Sequence, residues 1–248
     1  ILIGLVGSEM CIRDRWYMAR CLNPSTMNWD GPDADFTPLS DDIPWCMVPE
    51  KKVTIEDVKY VLSSHFQGTP YDPYASYGDK SMKGAYRAIG VNRTDFLGII
   101  QMRPDAGEDS RAIEWVAFAS NVFNTAVPFY TDVEKVPEYF SNTTGDASTD
   151  NFYWASRMIA AMADASYSKS IFHIERYQER VMSKGHEYIN QYDELLSKES
   201  NAEERMQLRQ EANEKIADMV KKETQDTLNK VLYELSNQMK NAYSRSDA

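Results

Sequence analysis

The sequence predicts an α+β chain in which a strand-bearing first part precedes a long helical second part. Two observations carry this. All ten prolines lie at or before Pro137, and Gly185 is the only glycine after Gly145, so the second part is nearly free of helix-breaking residues. Ahead of it, Phe96–Met102 and Ala112–Ser120 form apolar runs of strand length bounded by turn residues. On this pattern residues 16–147 form a mixed sheet domain and residues 148–248 a helical region.

Taken in order, Thr54-x-x-Asp57 reads as a capping-box start, because a side-chain oxygen there accepts an otherwise orphaned backbone N–H. Val58, Val61 and Leu62 give the ensuing helix an apolar face, and Gly68 with Pro70 is expected to end it. In Ala112–Ser120 apolar residues occupy nearly every site, as in a strand covered on both faces. Arg103–Ser110 is turn-rich, so the two runs are expected to pair antiparallel, and Ala126–Tyr130 offers a further short strand with Pro128 at an edge. Phe152, Trp154, Met158, Ile159 and Met162 open a helix expected to be capped by Ser148, Thr149 or Asp150. Ile171–Leu196 continues as helix with a bend expected at Gly185, and Ser197–Arg205 reads as a turn. In the last helix, apolar residues from Ile216 through Leu228 to Leu235 recur at three- and four-residue steps.

Composition narrows the function. The net charge of −11 disfavours a nucleic-acid partner, which needs clustered Lys and Arg to meet phosphates, and it equally disfavours an anionic membrane surface. No stretch has the run of apolar residues needed to span a bilayer. The cysteines show neither a disulfide framework nor a zinc spacing, and the three histidines are dispersed, so no metal or cofactor is expected. A reducing cytoplasm is the default location, where the sequons at Asn92 and Asn142 carry no sugar.

Residues 5–15, LVGSEMCIRDR, resemble a translated sequencing adapter. The expectation is that residues 1–15 are foreign and that the natural sequence resumes near Trp16, inside a longer gene.

Candidate chemistry is sparse. Cys46 lies in an apolar Pro44-Trp45-Cys46-Met47 setting, which predicts a buried, inert thiol with a raised pKa. Cys21 follows Arg20, a weak activating feature. His65 is placed at a helix end, where an imidazolium meets the last carbonyls. Gly84–Gly90 lacks the spacing of a phosphate-binding loop.

A succession of motifs adds a resemblance. Ala19-Arg20-Cys21-Leu22-Asn23-Pro24, Pro49-Glu50-Lys51-Lys52-Val53 leading into Thr54–Val58, His65–Asp72, Val91-Asn92-Arg93-Thr94, and Trp115–Tyr130 ending in Val127-Pro128-Phe129-Tyr130 occur in an order similar to that of the bacterial dipeptidase A family. The resemblance spans roughly Trp16 to Leu196. It implies an N-terminal-nucleophile hydrolase, an αββα sandwich that would be incomplete here, with residues 16–147 as its remainder. It also implies cleavage of dipeptides by an N-terminal Cys whose own α-amine handles the proton. That Cys is not in this sequence, and Cys21 in its internal context is no substitute, so the isolated chain is expected to be inactive. Among family-like positions, Arg93 is the candidate catalytic residue, with Asn92, Thr94 and Asn121 as candidate substrate contacts and Asn124 as a weaker one. Arg93 reads equally as a structural cation paired with Asp95, Asp72 or a helix end, and the asparagines as turn residues. The competing reading is a non-enzymatic protein whose long helices bind a partner or a second copy, or an inactive homologue. Polar Lys221, Thr224 and Asn229 interrupt the seam that such a helix bundle needs.

Overall fold

The structure, a computed structural model, describes residues 9–240 and divides into two compact units, residues 1–91 and 92–248. It is α+β, with six α-helices and one small antiparallel sheet among the described residues. The second unit holds both the sheet and the helices that follow residue 148, which cover it.

The first unit packs two helices, α1 (Glu9–Leu22) and α2 (Ile55–Leu62), among long loops. Its core gathers Trp16, Tyr17, Trp29, Ile43 and Phe66, with Met27, Phe36, Tyr71 and Tyr86 against it. Burying side chains this large releases about 1.5–3 kcal/mol each, but their polar atoms must then be paired. Trp16 Nε1 donates to the Phe36 carbonyl at 3.1 Å, Trp29 Nε1 to the Asn23 carbonyl at 2.8 Å, and the Tyr17 hydroxyl to the Gln67 carbonyl at 3.0 Å. Sequence reasoning found no helix at α1, which runs without a break across the Arg15–Trp16 junction. The Arg13 guanidinium lies 4.5 Å over the Tyr86 ring, and burial raises the Asp14 carboxyl to a pKa of about 6 against the pull of Arg87 and Arg13.

The Thr54 capping box forms as expected: Asp57 N donates to Thr54 Oγ1 at 3.2 Å, and Thr54 N to Asp57 Oδ2 at 3.0 Å. α2 stops at Leu62, well before Gly68, because the Ser63 N–H turns back to the carbonyls of Lys59 and Val61. Lys59 is buried on this helix, its Nζ donating to Ser63 Oγ at 2.6 Å, and desolvation lowers its pKa to about 7.

The second unit is a three-stranded meander in the order β1 (Phe96–Met102), β2 (Ala112–Phe118), β3 (Val127–Tyr130). β1 pairs with β2 from Phe96↔Phe118 to Met102↔Ala112, and β2 with β3 from Ile113↔Tyr130 to Val116↔Val127. Pro128 thus sits on an edge strand, where its missing N–H costs little. The central strand is almost wholly buried, whereas β1 alternates and leaves Phe96, Ile100 and Met102 exposed.

Four helices complete the unit: α3 (Glu138–Ser141), α4 (Phe152–Ala165), α5 (Tyr167–Lys198) and α6 (Ala202–Ser236). The cap of α4 is Asn151, one residue later than expected, whose side chain accepts from Trp154 N at 2.9 Å. α5 continues through Gly185 as one helix. The glycine allows a close approach, since a Cβ there would lie 2.8 Å from both Cγ and Cδ of Pro128. Several polar residues of α6 are buried and paired inside the unit. Asn213 exchanges hydrogen bonds with the Tyr130 backbone, N→Oδ1 at 2.9 Å and Nδ2→O at 3.0 Å, and Thr224 meets the Tyr177 hydroxyl at 2.8 Å. The interrupted stripe therefore packs on its own sheet and on α5. Arg103 pairs with Asp193, and Asp109 with both Arg205 and the buried Arg209, which ties the β1–β2 connection to α5 and α6.

Candidate functional site at one end of the sheet

The antiparallel pairing decides which candidate residues lie together. β1 begins opposite the end of β2, and Ala119 N extends the ladder by donating to the Asp95 carbonyl at 2.9 Å. The segment 92–95 entering β1 and the segment 119–124 leaving β2 therefore share one end of the sheet. Arg93, Asn92, Thr94 and Asn121, read separately from the sequence, all belong to these two segments.

Their environments differ. Asn92 and Arg93 are exposed, Thr94 is half-buried, and Asn121 and Asn124 are almost fully buried. Arg93 makes no hydrogen bond or ion pair among the described residues, and the acids proposed as its partners are otherwise engaged. Asp95 accepts from Arg157 Nη1 at 2.8 Å and from the Tyr153 hydroxyl at 3.4 Å, both from the first turns of α4. Asp72, in the first unit, accepts from His65. Two cations, Arg93 and the half-exposed Arg157, thus serve the same segment, one of them with its charge uncompensated.

The turn after β2 is tightly specified. Ala119 has φ = 64°, a left-handed conformation that costs a non-glycine residue on the order of 1 kcal/mol. Phe123 N and Asn124 N then both donate to the Ser120 carbonyl at 3.1 Å. Asn124 Nδ2 donates to the carbonyls of Phe118 at 2.7 Å and Ala119 at 3.2 Å, and lies 3.3 Å from Asn121 Oδ1. From α5, Gln178 Nε2 donates to the carbonyls of Val122 at 3.1 Å and Asn124 at 2.8 Å. Backbone strain combined with buried polar groups at a strand end is how sites that must hold a fixed geometry are commonly built. Sequence reasoning missed Arg157, Tyr153 and Gln178, since each is a polar residue on a helix that the chain reaches only 32 or more residues after the turn's start.

The other reactive groups lie in the first unit. Cys21 is partly buried on α1, its thiol pKa raised by desolvation against hydrogen bonding from Tyr17 and the charge of Arg20. Arg20 is itself engaged by Asp30 at 3.0 Å. Cys46 departs from expectation and is exposed, next to Trp45 and Val48, which are also exposed. The apolar motif therefore marks a surface loop, in which Ile43 is buried in the core and Met47 packs against it while Trp45, Cys46 and Val48 face outward. His65 also departs from expectation. It lies beyond the end of α2 and its Nδ1 is 2.9 Å from Asp72 Oδ1 in a buried pair, with Tyr74 edge-on to the ring. Among the described residues no cluster of His, Cys, Asp and Glu could hold a metal ion, and no helix is long and apolar enough to cross a membrane.

Comparison with known proteins agrees with the ordered motifs. Residues 8–180 match the sequence profile of peptidase family C69. The chain is 42% identical over 269 residues to the dipeptidase of Bifidobacterium longum, covering 94% of this chain and 50% of that protein. It is 44% identical over 232 residues to a probable dipeptidase A of Streptococcus pyogenes serotype M18, covering 94% and 46%. It is 30% identical over 207 residues to dipeptidase A of Lactobacillus helveticus, covering 84% and 43%. The chain spans about half the length of the curated relatives it matches.

Proposed function

Because this chain belongs to peptidase family C69, we propose that it is part of a cytoplasmic dipeptidase whose nucleophile is an N-terminal cysteine supplied by polypeptide outside these residues. The reading is carried by the identity of 42–44% to dipeptidases over 94% of the chain. In the proposed reaction the N-terminal thiolate attacks the peptide carbonyl and its α-amine carries the proton to the leaving amine. The resulting thioester is hydrolysed by water, which restores the thiol. Residues 1–15 are read as foreign to that enzyme.

Within this reading the sheet end provides substrate contacts. Arg93, exposed and without an internal partner, is suited to a carboxylate or to charge developing on the attacked carbonyl. Asn92, Thr94 and Asn121 supply polar contacts to the peptide. The apolar side chains exposed on β1, Phe96, Ile100 and Met102, suit a second sheet packed on that face, as an αββα sandwich requires. Alone, that surface favours association and poor solubility.

Alkylation tests the nucleophile. In the longer polypeptide encoded at the source locus, iodoacetamide should abolish dipeptide hydrolysis in proportion to modification of the N-terminal Cys. The Cys21→Ser and Cys46→Ser variants should remain active and equally sensitive. Activity that survives alkylation, or vanishes with Cys21→Ser, would refute the assignment.

A further inference from the structure

Three charged residues belong to the sheet end, and their pairing is uneven. Asp95, two residues after Arg93, accepts from Arg157 Nη1 at 2.8 Å and from the Tyr153 hydroxyl at 3.4 Å, so its carboxylate is committed to α4. Arg93 is left exposed, with no hydrogen bond or ion pair among the described residues. Two arginines and one aspartate give this end a net positive charge on a chain whose total is −11. We propose that Arg93 is a specificity-determining residue that pairs with the free C-terminal carboxylate of a dipeptide and so restricts hydrolysis to substrates of that length. This rests on the dipeptidase reading of the sheet end.

Two anions are open to Arg93, the substrate carboxylate and the oxyanion formed on the attacked carbonyl. An oxyanion is best stabilised by donors held rigidly and away from water, and the Arg93 side chain is exposed. A carboxylate is charged before the reaction begins, and the planar guanidinium fork meets its two oxygens with parallel hydrogen bonds. The backbone beside the fork is fixed, because Ala119 N donates to the Asp95 carbonyl at 2.9 Å just outside the β1–β2 ladder. In a dipeptide the carboxylate sits on the residue directly after the scissile bond. Each further residue moves it by about 3.3–3.6 Å in an extended peptide, a step longer than a hydrogen bond. A cation at a set distance from the scissile bond therefore measures peptide length. Asp95 sharpens the measurement by keeping Arg157 from offering a second cation to the same carboxylate.

The test compares three substrates of the longer, hydrolytically active polypeptide: a dipeptide it cleaves, the C-terminal amide of that dipeptide, and the same dipeptide extended by a C-terminal alanine. The wild type should prefer the free dipeptide over both others by about tenfold or more, the scale of a hydrogen bond to a charged group. Arg93→Gln should raise KM for the dipeptide by about the same factor while kcat falls much less, because the carboxylate is bound alike in ground and transition states. The preference for acid over amide should then all but vanish, and Arg93→Lys should restore part of it. Arg93 is exposed, so both variants should unfold thermally as the wild type does, which separates lost affinity from lost fold. An equal loss on acid and amide, a fall in kcat at constant KM, or a wild type that cleaves the amide as readily as the acid would overturn the assignment while leaving the enzyme a dipeptidase. A wild-type polypeptide without dipeptide hydrolysis would overturn the parent reading, and this assignment with it.

Discussion

Gly185→Ala sets helix propensity directly against packing. In an exposed helix interior the change would stabilise by about 1 kcal/mol, because alanine restricts the unfolded chain. Here the new Cβ would stand 2.8 Å from two ring carbons of Pro128 and 3.7 Å from Trp115 Cζ3. Carbon atoms pack without repulsion at about 3.5–4.0 Å, so helix and strand would have to separate by roughly 0.7 Å or more. Neither is free to move. The Tyr130 hydroxyl, two residues from Pro128, is bound to the Ile189 carbonyl at 3.1 Å and Asp193 Oδ1 at 2.8 Å, and Arg103 holds Asp193 from the β1 side. The proline ring is rigid, which puts the overpacking cost near the top of the usual range, about 3 kcal/mol. The net expectation is a loss of about 2 kcal/mol in urea unfolding, with an unchanged m-value. Pro128→Ala removes the two clashing carbons, so the double variant should recover more than half of that loss as a coupling energy. A Gly185→Ala protein as stable as the parent would show that α5 does not press on β3 as described, and that the glycine is incidental.

Other consequences concern charge. Asp14 titrates near pH 6 and Lys59 near pH 7 in the folded first unit. The Asp14 pKa is raised, so folding favours its proton and its contribution to stability falls as pH rises from about 4 to 6. The Lys59 pKa is lowered, so the unfolded chain holds the proton more tightly, and stability rises between about pH 7 and 10. Thermal unfolding of this unit should thus show a stability minimum at pH 6–7, and Lys59→Met should remove the alkaline rise. A flat profile in the parent protein would count against burial of both groups. In the second unit, Asp109→Asn should destabilise by about 1.5–3 kcal/mol, because it removes the charge that Arg205 and Arg209 share and leaves Arg209, whose side chain is 3% exposed, with only the exposed Asp132 carboxylate at 3.1 Å as an ion-pair partner. Arg205 and Arg209 hold the Asp109 carboxyl below the usual carboxylate range, so that contribution should fade in acid as Asp109 takes up a proton. An effect under 1 kcal/mol at neutral pH would show the network to be ornamental.

What was legible in the sequence follows the range of the forces involved. Both long strands start where the sequence places them, and they pair antiparallel as it predicts, because apolar runs of strand length separated by turn residues encode them locally. The capping box at Thr54 is equally local and formed as written. Gly185 stands out in the sequence, yet the close approach it permits is to Pro128, far away in sequence, which local pattern cannot show. The same distance hid Gln178, Tyr153 and Arg157, whose partners are fixed only when α4 and α5 fold against the sheet. Local pattern misleads differently at Cys46, where a stretch of apolar residues reads as burial but the thiol is exposed. A chain with many large side chains cannot bury them all, and Trp45 and Val48 remain at the surface. Arg93 and Asn121 were named from separate motifs, and antiparallel register alone brings their segments to the same end of the sheet.

The claim on which the rest depends is that these residues form part of a dipeptidase and lack its nucleophile. Dipeptide hydrolysis should be measured side by side for this 248-residue chain and for the longer polypeptide encoded at the source locus. The account predicts turnover by the longer polypeptide, none by the chain alone, and none by the longer polypeptide when its N-terminal Cys is replaced by Ala. Turnover by the isolated chain, or by the Ala variant, would contradict it.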